Sequence, residues 1–319
     1  MLRSFFSRYP SRSIAQIFTY PEYPDYQSDT LYYRITDMDM LRALGPAGAK
    51  TGGPVGAQGT SQDIEKPAVF KSSLVNLPAA RLLRELVWMG DRWKKESFLQ
   101  WLDAFSPEIL FFSGVNSPAL YRLAGFIADR FQIPIIVYVT DDYFLPRFSL
   151  SPCFHIRRKW LCSSMQKLLN CPKTRLLVVN DYMAATYGKY FGVYGQTIFH
   201  QIDIPSLCPQ APEEKRRPLV VSYVGNLLNG RLSALRQMRR ALQRYEHREK
   251  FRFMIYTKED LSEKQLRSIT ALPYMGHYGA LDSAQVRAVL AASDALFHLE
   301  SFRYHNRKDT ELSLSTKIA

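Results

Sequence analysis

Between Val220 and Leu242 a short β-branched run, a glycine turn and an amphipathic helix follow one another, and no other stretch constrains the fold as much. It reads V-V-S-Y-V-G-N-L-L-N-G-R-L, after which Leu232, Leu235, Met238, Leu242 and Tyr245 recur at three- and four-residue steps. That is the period of a helix with one apolar face. Strand, turn and helix make half of a βαβ unit. Gly225 and Gly230 let the backbone approach a bound group, the helix start offers free N–H groups and a positive dipole end, and Arg231 adds a fixed charge. The turn therefore suits a phosphate; the same arrangement also recurs in α/β proteins that bind nothing there.

The rest of the chain repeats this alternation. Strands are expected at Ala15 to Tyr20, Tyr32 to Ile35, Ile109 to Phe112, I-I-V-Y-V-T after Pro134, L-L-V-V-N and near Thr197 to His200, with helices between them. Leu82, Leu86, Trp88, Trp93, Phe98 and Leu102 form an apolar stripe broken at Gly90-Asp91, the pattern of two core helices. Residues 45–62 begin with a glycine-rich run and read as a flexible surface loop. Residues 1–200 thus form one α/β domain, and 201–217, with prolines and E-E-K-R-R, an interdomain linker. In residues 218–319 the pattern restarts: R-F-M-I-Y-T, Pro273 to Gly279 and Ala295 to Leu299 as strands, with helices from about Leu261 and over Ser283 to Ser293.

Composition excludes several classes. The 319 residues, 46% hydrophobic, suffice for two cores. No run approaches the roughly 18 apolar residues of a membrane-crossing helix, and the chain reads as cytoplasmic. Cys153, Cys162, Cys171 and Cys208 lack the close pairs of a zinc site, so no metal is expected. No spaced G-x-G-x-x-G follows a strand, which argues against a nicotinamide enzyme. The formal charge of +13 favours anionic partners. A basic nucleic-acid-binding α/β protein is one reading of that charge, although no nucleic-acid-binding signature accompanies it.

Two further stretches carry chemistry. Asp141 and Asp142 follow a strand, at the edge of a parallel sheet where ligands sit; paired acids there either act on a sugar hydroxyl or cap the next turn. Residues 155–175 combine Arg157, Arg158, Lys159, Lys167, Lys173 and Arg175 with an apolar side and no acid. Such a helix is either a solvated face packed on its domain or a peripheral contact with an anionic membrane, here the inner face, or a lipid-linked phosphate.

The order V-S-Y-V-G-N-L-L-N-G-R, then Y-M-G-H-Y-G-A-L-D-S-A-Q-V-R-A-V-L-A-A-S-D-A-L-F-H-L-E-S, then L-S-L-S-T-K-I resembles the group 1 glycosyltransferases of polysaccharide biosynthesis. The first half, with S-F-F-S-R-Y-P, I-P-I-I-V-Y-V-T-D-D-Y and V-V-N-D-Y-M-A-A-T-Y-G-K-Y-F-G, is similar to them as well. The resemblance implies a GT-B fold of two Rossmann-like domains. It implies a metal-independent, retaining transfer of a sugar from a nucleotide-sugar donor, held by the second domain, to a saccharide or lipid-linked acceptor held by the first. No cofactor is implied, the nucleotide sugar being a substrate. The residues matching the nucleotide and diphosphate ligands are Gly225, Asn226, Arg231, Ser315, Thr316 and Lys317, with Lys258 a further candidate. Asp141, Asp142 and Glu300 stand at or near the catalytic positions.

The chain also departs from that pattern. Many relatives have a histidine–aspartate pair where Asp141-Asp142 stands, Glu300 comes a few residues early, and the second domain reads as incomplete, with the relatives' first strand and C-terminal portion missing. A truncated, non-catalytic remnant or binding module of the same fold is therefore an alternative.

Overall fold

The computed structural model describes residues 5–6, 8–20, 29–45, 52–55, 77–198, 218–303, 306–307 and 311–312. The chain divides into two compact units, Met1–Phe199 and His200–Ala319, each an α/β unit with parallel strands. The stretch expected as a linker, 201–217, lies outside the described residues.

In the first unit β1 (Ala15–Phe18) pairs in parallel with β2 (Leu31–Arg34). β3 (Gly53–Val55) adds antiparallel to β2, with Tyr33 opposite Pro54. This strand lies within the stretch expected as a flexible loop, 45–62, of which residues 46–51 and 56–62 lie outside the described residues. Pro54 lacks an N–H and so suits the outermost strand of a sheet. α1 (Asp37–Arg42) begins in a reciprocal cap: Asp39 N–H donates to Thr36 Oγ1 at 3.2 Å, and Thr36 N–H donates to the Asp39 carboxylate at 2.7 Å. α2 (Pro78–Met89) and α3 (Glu96–Phe105) carry the aromatic stripe, and Trp88, Trp93 and Phe98 are buried core.

A second sheet holds β4 (Leu110–Ser113), β5 (Ile135–Val139), β6 (Thr174–Val178) and β7 (Gln196–Thr197), all parallel and in that order. The crossovers are α4 (Pro118–Phe131), α5 (Pro152–Leu169) and α6 (Asp181–Phe191). α5 packs against both α2 and α4, and Leu161, Met165, Leu168 and Leu169, its apolar side, are buried. The helix expected over 155–175 ends at Leu169, because Pro172 cannot continue it and the chain enters β6 two residues later.

The second unit has β8 (Leu219–Val224), β9 (Phe251–Tyr256), β10 (Met275–His277) and β11 (Ala295–Leu296), interleaved with α7 (Arg231–Arg244), α8 (Glu263–Thr270) and α9 (Ser283–Ala292). The strand order is β10-β9-β8-β11, all parallel. The chain thus moves outward from β8 through β9 to β10, then returns to lie on the other side of β8. That reversal is the switch point of a doubly wound sheet. Tyr223, Leu235, Ile255, Ile269, Met275 and Leu299 fill the core beneath it. β11 is shorter than the expected 295–299, and Leu299, placed past its end, is turned inward.

Candidate functional site

At the switch point the loop after β8 faces the segment after β11, and Arg231 ties the two together. Its Nε donates to the Leu299 carbonyl at 3.1 Å, Nη1 to Asn226 Oδ1 at 2.7 Å and Nη2 to Glu300 Oε1 at 3.1 Å. His298 Nε2 meets the same Glu300 oxygen at 2.9 Å. Three of the expected site residues, Asn226, Arg231 and Glu300, are therefore brought together, from the β8 loop, the start of α7 and the segment beyond β11.

The loop is held from two further sides. Asn229 at φ 51° and Gly230 at φ 83° form a left-handed pair that turns the chain into α7. A side chain at Gly230 would strike Ser301 and Asn306. On the β9 side, Leu227 N–H donates to the Glu259 carboxylate at 2.9 Å, and the Thr257 hydroxyl donates to the same oxygen. Gly225 continues the β8 ladder, its N–H on the Tyr256 carbonyl at 3.0 Å. The Tyr223 hydroxyl donates to the Asn226 carbonyl. Burial, opposed by the Arg231 charge and aided by Glu259 and Glu300, pushes that phenol up to about 12.

One expectation is corrected here. The first N–H groups of α7 are not free: Arg231 N–H donates to the Leu228 carbonyl, Leu232 N–H to Leu227 and Ser233 N–H to Gly230, at 3.0 to 3.1 Å. The left-handed turn folds those carbonyls back over the helix start, so an anion at this edge would meet the Arg231 side chain rather than α7 backbone donors. Lys258 lies exposed just past β9, with no ion-pair partner among the described residues. Ser315, Thr316 and Lys317 lie outside the described residues.

Asp141 and Asp142 belong to the first unit, past β5, and the structure separates their roles. Asp141 is exposed; its carboxylate accepts from the Thr140 hydroxyl at 3.2 Å and the Tyr143 hydroxyl at 3.5 Å. Burial, then the Asp141 charge, pushes the Tyr143 phenol up to about 12. Asp142 is 2% exposed. Its Oδ1 accepts from Phe144 N–H at 3.0 Å, Leu145 N–H at 3.2 Å and the Tyr187 hydroxyl at 2.9 Å, and Arg147 pairs with it at 3.5 Å. A carboxylate so enclosed caps the turn after β5, the second of the two readings of the paired acids.

The basic stretch is taken up within the first unit. Arg157 is buried, with Nη1 on Asn116 Oδ1 at 3.0 Å; Arg158 holds the Phe144 carbonyl at 2.9 Å and the Tyr190 hydroxyl at 2.8 Å. Lys173 holds the Gln132 carbonyl at 2.6 Å. With the apolar side of α5 in the core, the described structure corresponds to the packed-face reading of 155–175.

Several residues escaped the sequence reading. Glu259 follows a strand in T-K-E-D, where a capping carboxylate could have been expected, and the i, i+2 spacing of His298 and Glu300 was the one signal of their contact. Glu85 gave no signal. Fully buried inside α2, it accepts from Ser117 at 2.9 Å, Ala119 N–H at 3.2 Å and Arg84 at 3.1 Å, with Arg157 at 3.6 Å. Arg84 also bonds Asp37 at 2.9 Å. Among the described residues no group of three His, Cys, Asp or Glu could hold a metal, and no helix is long and apolar enough to cross a membrane.

No protein-family profile matches the chain, and no curated protein is a significant match. Solved structures with a similar course include the apo form of a lipopolysaccharide outer core galactosyltransferase, WaaB. It is 18% identical at a TM-score of 0.42, over 71% of this chain and 57% of that one. A calicheamicin glycosyltransferase is 12% identical at 0.36, over 68% and 56%. The glycosyltransferase SnogD from Streptomyces nogalater is 12% identical at 0.33, over 83% and 67%. The chain spans just over half the length of the first two. At these identities and TM-scores the likeness leaves the chemistry to this chain's own residues.

Proposed function

We propose that this chain serves sugar transfer from a nucleotide-sugar donor, with the donor diphosphate recognised at the β8–β11 switch point of the second unit. One observation carries the reading: a guanidinium anchored by a backbone carbonyl and an asparagine, at the carboxyl edge of a doubly wound sheet where its order reverses. Phosphate oxygens match a guanidinium's paired donors. Fixed positive charge of this kind stabilises negative charge that builds on a leaving diphosphate. Lys258 stands at the same edge as a second cation, and Lys317, with Ser315 and Thr316, is proposed to complete the neutralisation without a metal ion. In this reading the acceptor is a saccharide or lipid-linked saccharide taken by the first unit, Asp141 supplies an exposed carboxylate to its hydroxyls, and the protein works in the cytoplasm with retention of configuration.

Calorimetric titration of the full chain with UDP and GDP tests the proposal. One of them is expected to bind, and Arg231→Ala, with an unchanged melt, to weaken binding at least about tenfold, the scale of a lost charge-assisted contact. Absence of binding by either nucleotide, or equal binding by Arg231→Ala, would refute it.

A further inference from the structure

The three acceptors of Arg231 differ in kind. Leu299 offers a neutral backbone carbonyl and Asn226 a neutral amide oxygen, and these two fix the guanidinium through Nε and Nη1. Glu300 offers a full negative charge, and it takes Nη2. A guanidinium can grip an oxyanion through two parallel bonds along either of two edges, Nε with Nη2 or Nη1 with Nη2. Nη2 is common to both. The carboxylate therefore sits on the nitrogen that a bidentate phosphate needs, while the position of the side chain is secured without it.

We infer that Glu300 is a resident counter-anion of Arg231, a built-in competitor that an oxyanion ligand must displace before it can be held. The inference rests on the diphosphate-binding reading of Arg231 given above. Glu300 is suited to leave: its side chain is 40% exposed, against 17% for Arg231, and His298 Nε2 already contacts the oxygen that Arg231 would give up. An ion pair so placed contributes little net stability. A carboxylate that stayed beside a bound phosphate would instead add like-charge repulsion in a half-buried site. The loop does not depend on Glu300 for its shape, since Glu259 holds Leu227 N–H and the left-handed Asn229-Gly230 pair makes the turn. The competing picture makes Glu300 a positioning residue that steadies Arg231 for the ligand. The two pictures differ in sign.

The full chain and its Glu300→Gln and Glu300→Ala variants, each checked by melting, would be titrated with inorganic pyrophosphate and with UDP at low and physiological salt. Both variants are expected to bind pyrophosphate about three- to tenfold more tightly than wild type, with the larger gain at low salt. Unchanged or weaker binding in Glu300→Gln overturns the inference, and weaker binding establishes the positioning role in its place. An Arg231→Ala control separates the two levels. Binding that depends on Arg231 but does not tighten without Glu300 sinks this inference alone, whereas binding indifferent to Arg231, or none in any variant, sinks the diphosphate reading and this inference with it.

Discussion

Asp141 and Asp142 are adjacent and chemically identical, yet the structure predicts opposite consequences of losing them. Asp142→Ala removes the acceptor of three donors, of which Phe144 N–H and the Tyr187 hydroxyl belong to residues with no exposed surface. A buried donor left unmade costs about 1 to 3 kcal/mol, and Leu145 N–H adds a smaller share, so Asp142→Ala should destabilise the first unit by about 3 to 5 kcal/mol. Asp142→Asn retains an acceptor oxygen and loses only the charge facing Arg147, for about 1 to 2 kcal/mol. Asp141→Ala, at an exposed side chain, should stay within about 0.5 kcal/mol of wild type. Trp88, Trp93, Trp101 and Trp160 all lie in the first unit and the second has none, so tryptophan fluorescence in urea follows the relevant transition alone. A midpoint for Asp142→Ala equal to wild type, or a loss in Asp141→Ala as large as in Asp142→Ala, would refute the assignment of Asp142 to the turn.

Other predictions follow from single contacts. Gly230→Ala forces a left-handed residue to carry a Cβ that meets Ser301 and Asn306; it should destabilise the second unit by about 1 to 3 kcal/mol and weaken UDP binding, seen by circular dichroism melting and calorimetry. Glu85→Ala takes the acceptor from the Ser117 hydroxyl and Ala119 N–H and the facing carboxylate from the buried Arg157, and should cost about 3 to 5 kcal/mol in the same fluorescence assay, with Glu85→Gln milder. The Tyr223 phenol, pushed up to about 12 by burial, keeps its proton in the native state after the unfolded chain has lost it. Its contribution is complete below about pH 10 and declines as pH rises from 10 towards 12, by on the order of 1 to 2 kcal/mol in all. Tyr223→Phe should flatten that part of the alkaline stability profile of the second unit, and an unaltered profile would count against the buried-phenol account.

Much of this architecture was legible in the sequence, because period and punctuation are local properties. Apolar steps of three and four residues marked α2, α3 and α7, runs such as I-I-V-Y-V marked strands, and the restart at Leu219 marked a second α/β unit. Arg231 and Asn226 could be singled out since the glycine turn that positions them lies beside them in the chain. What stayed hidden depended on partners far away in sequence. Glu85 looks like any helix glutamate until Ser117, 32 residues on, and Arg157 close over it. The short strand β3 carries three residues of a glycine-rich segment, and only the free edge of β2 gives them a partner.

The sequence by itself determined the alternation of strands and helices, the charge and the residues able to meet a phosphate, since each follows from residue type and spacing. Tertiary structure alone decided what those residues are free to do. It enclosed Asp142 with three donors and kept Asp141 exposed, it set the first N–H groups of α7 on carbonyls of the turn before it, and it set Glu300 on the guanidinium of Arg231, 69 residues away. Burial and charge pairing are properties of a site's whole surroundings, and those surroundings exist only once β11 has returned to the side of β8.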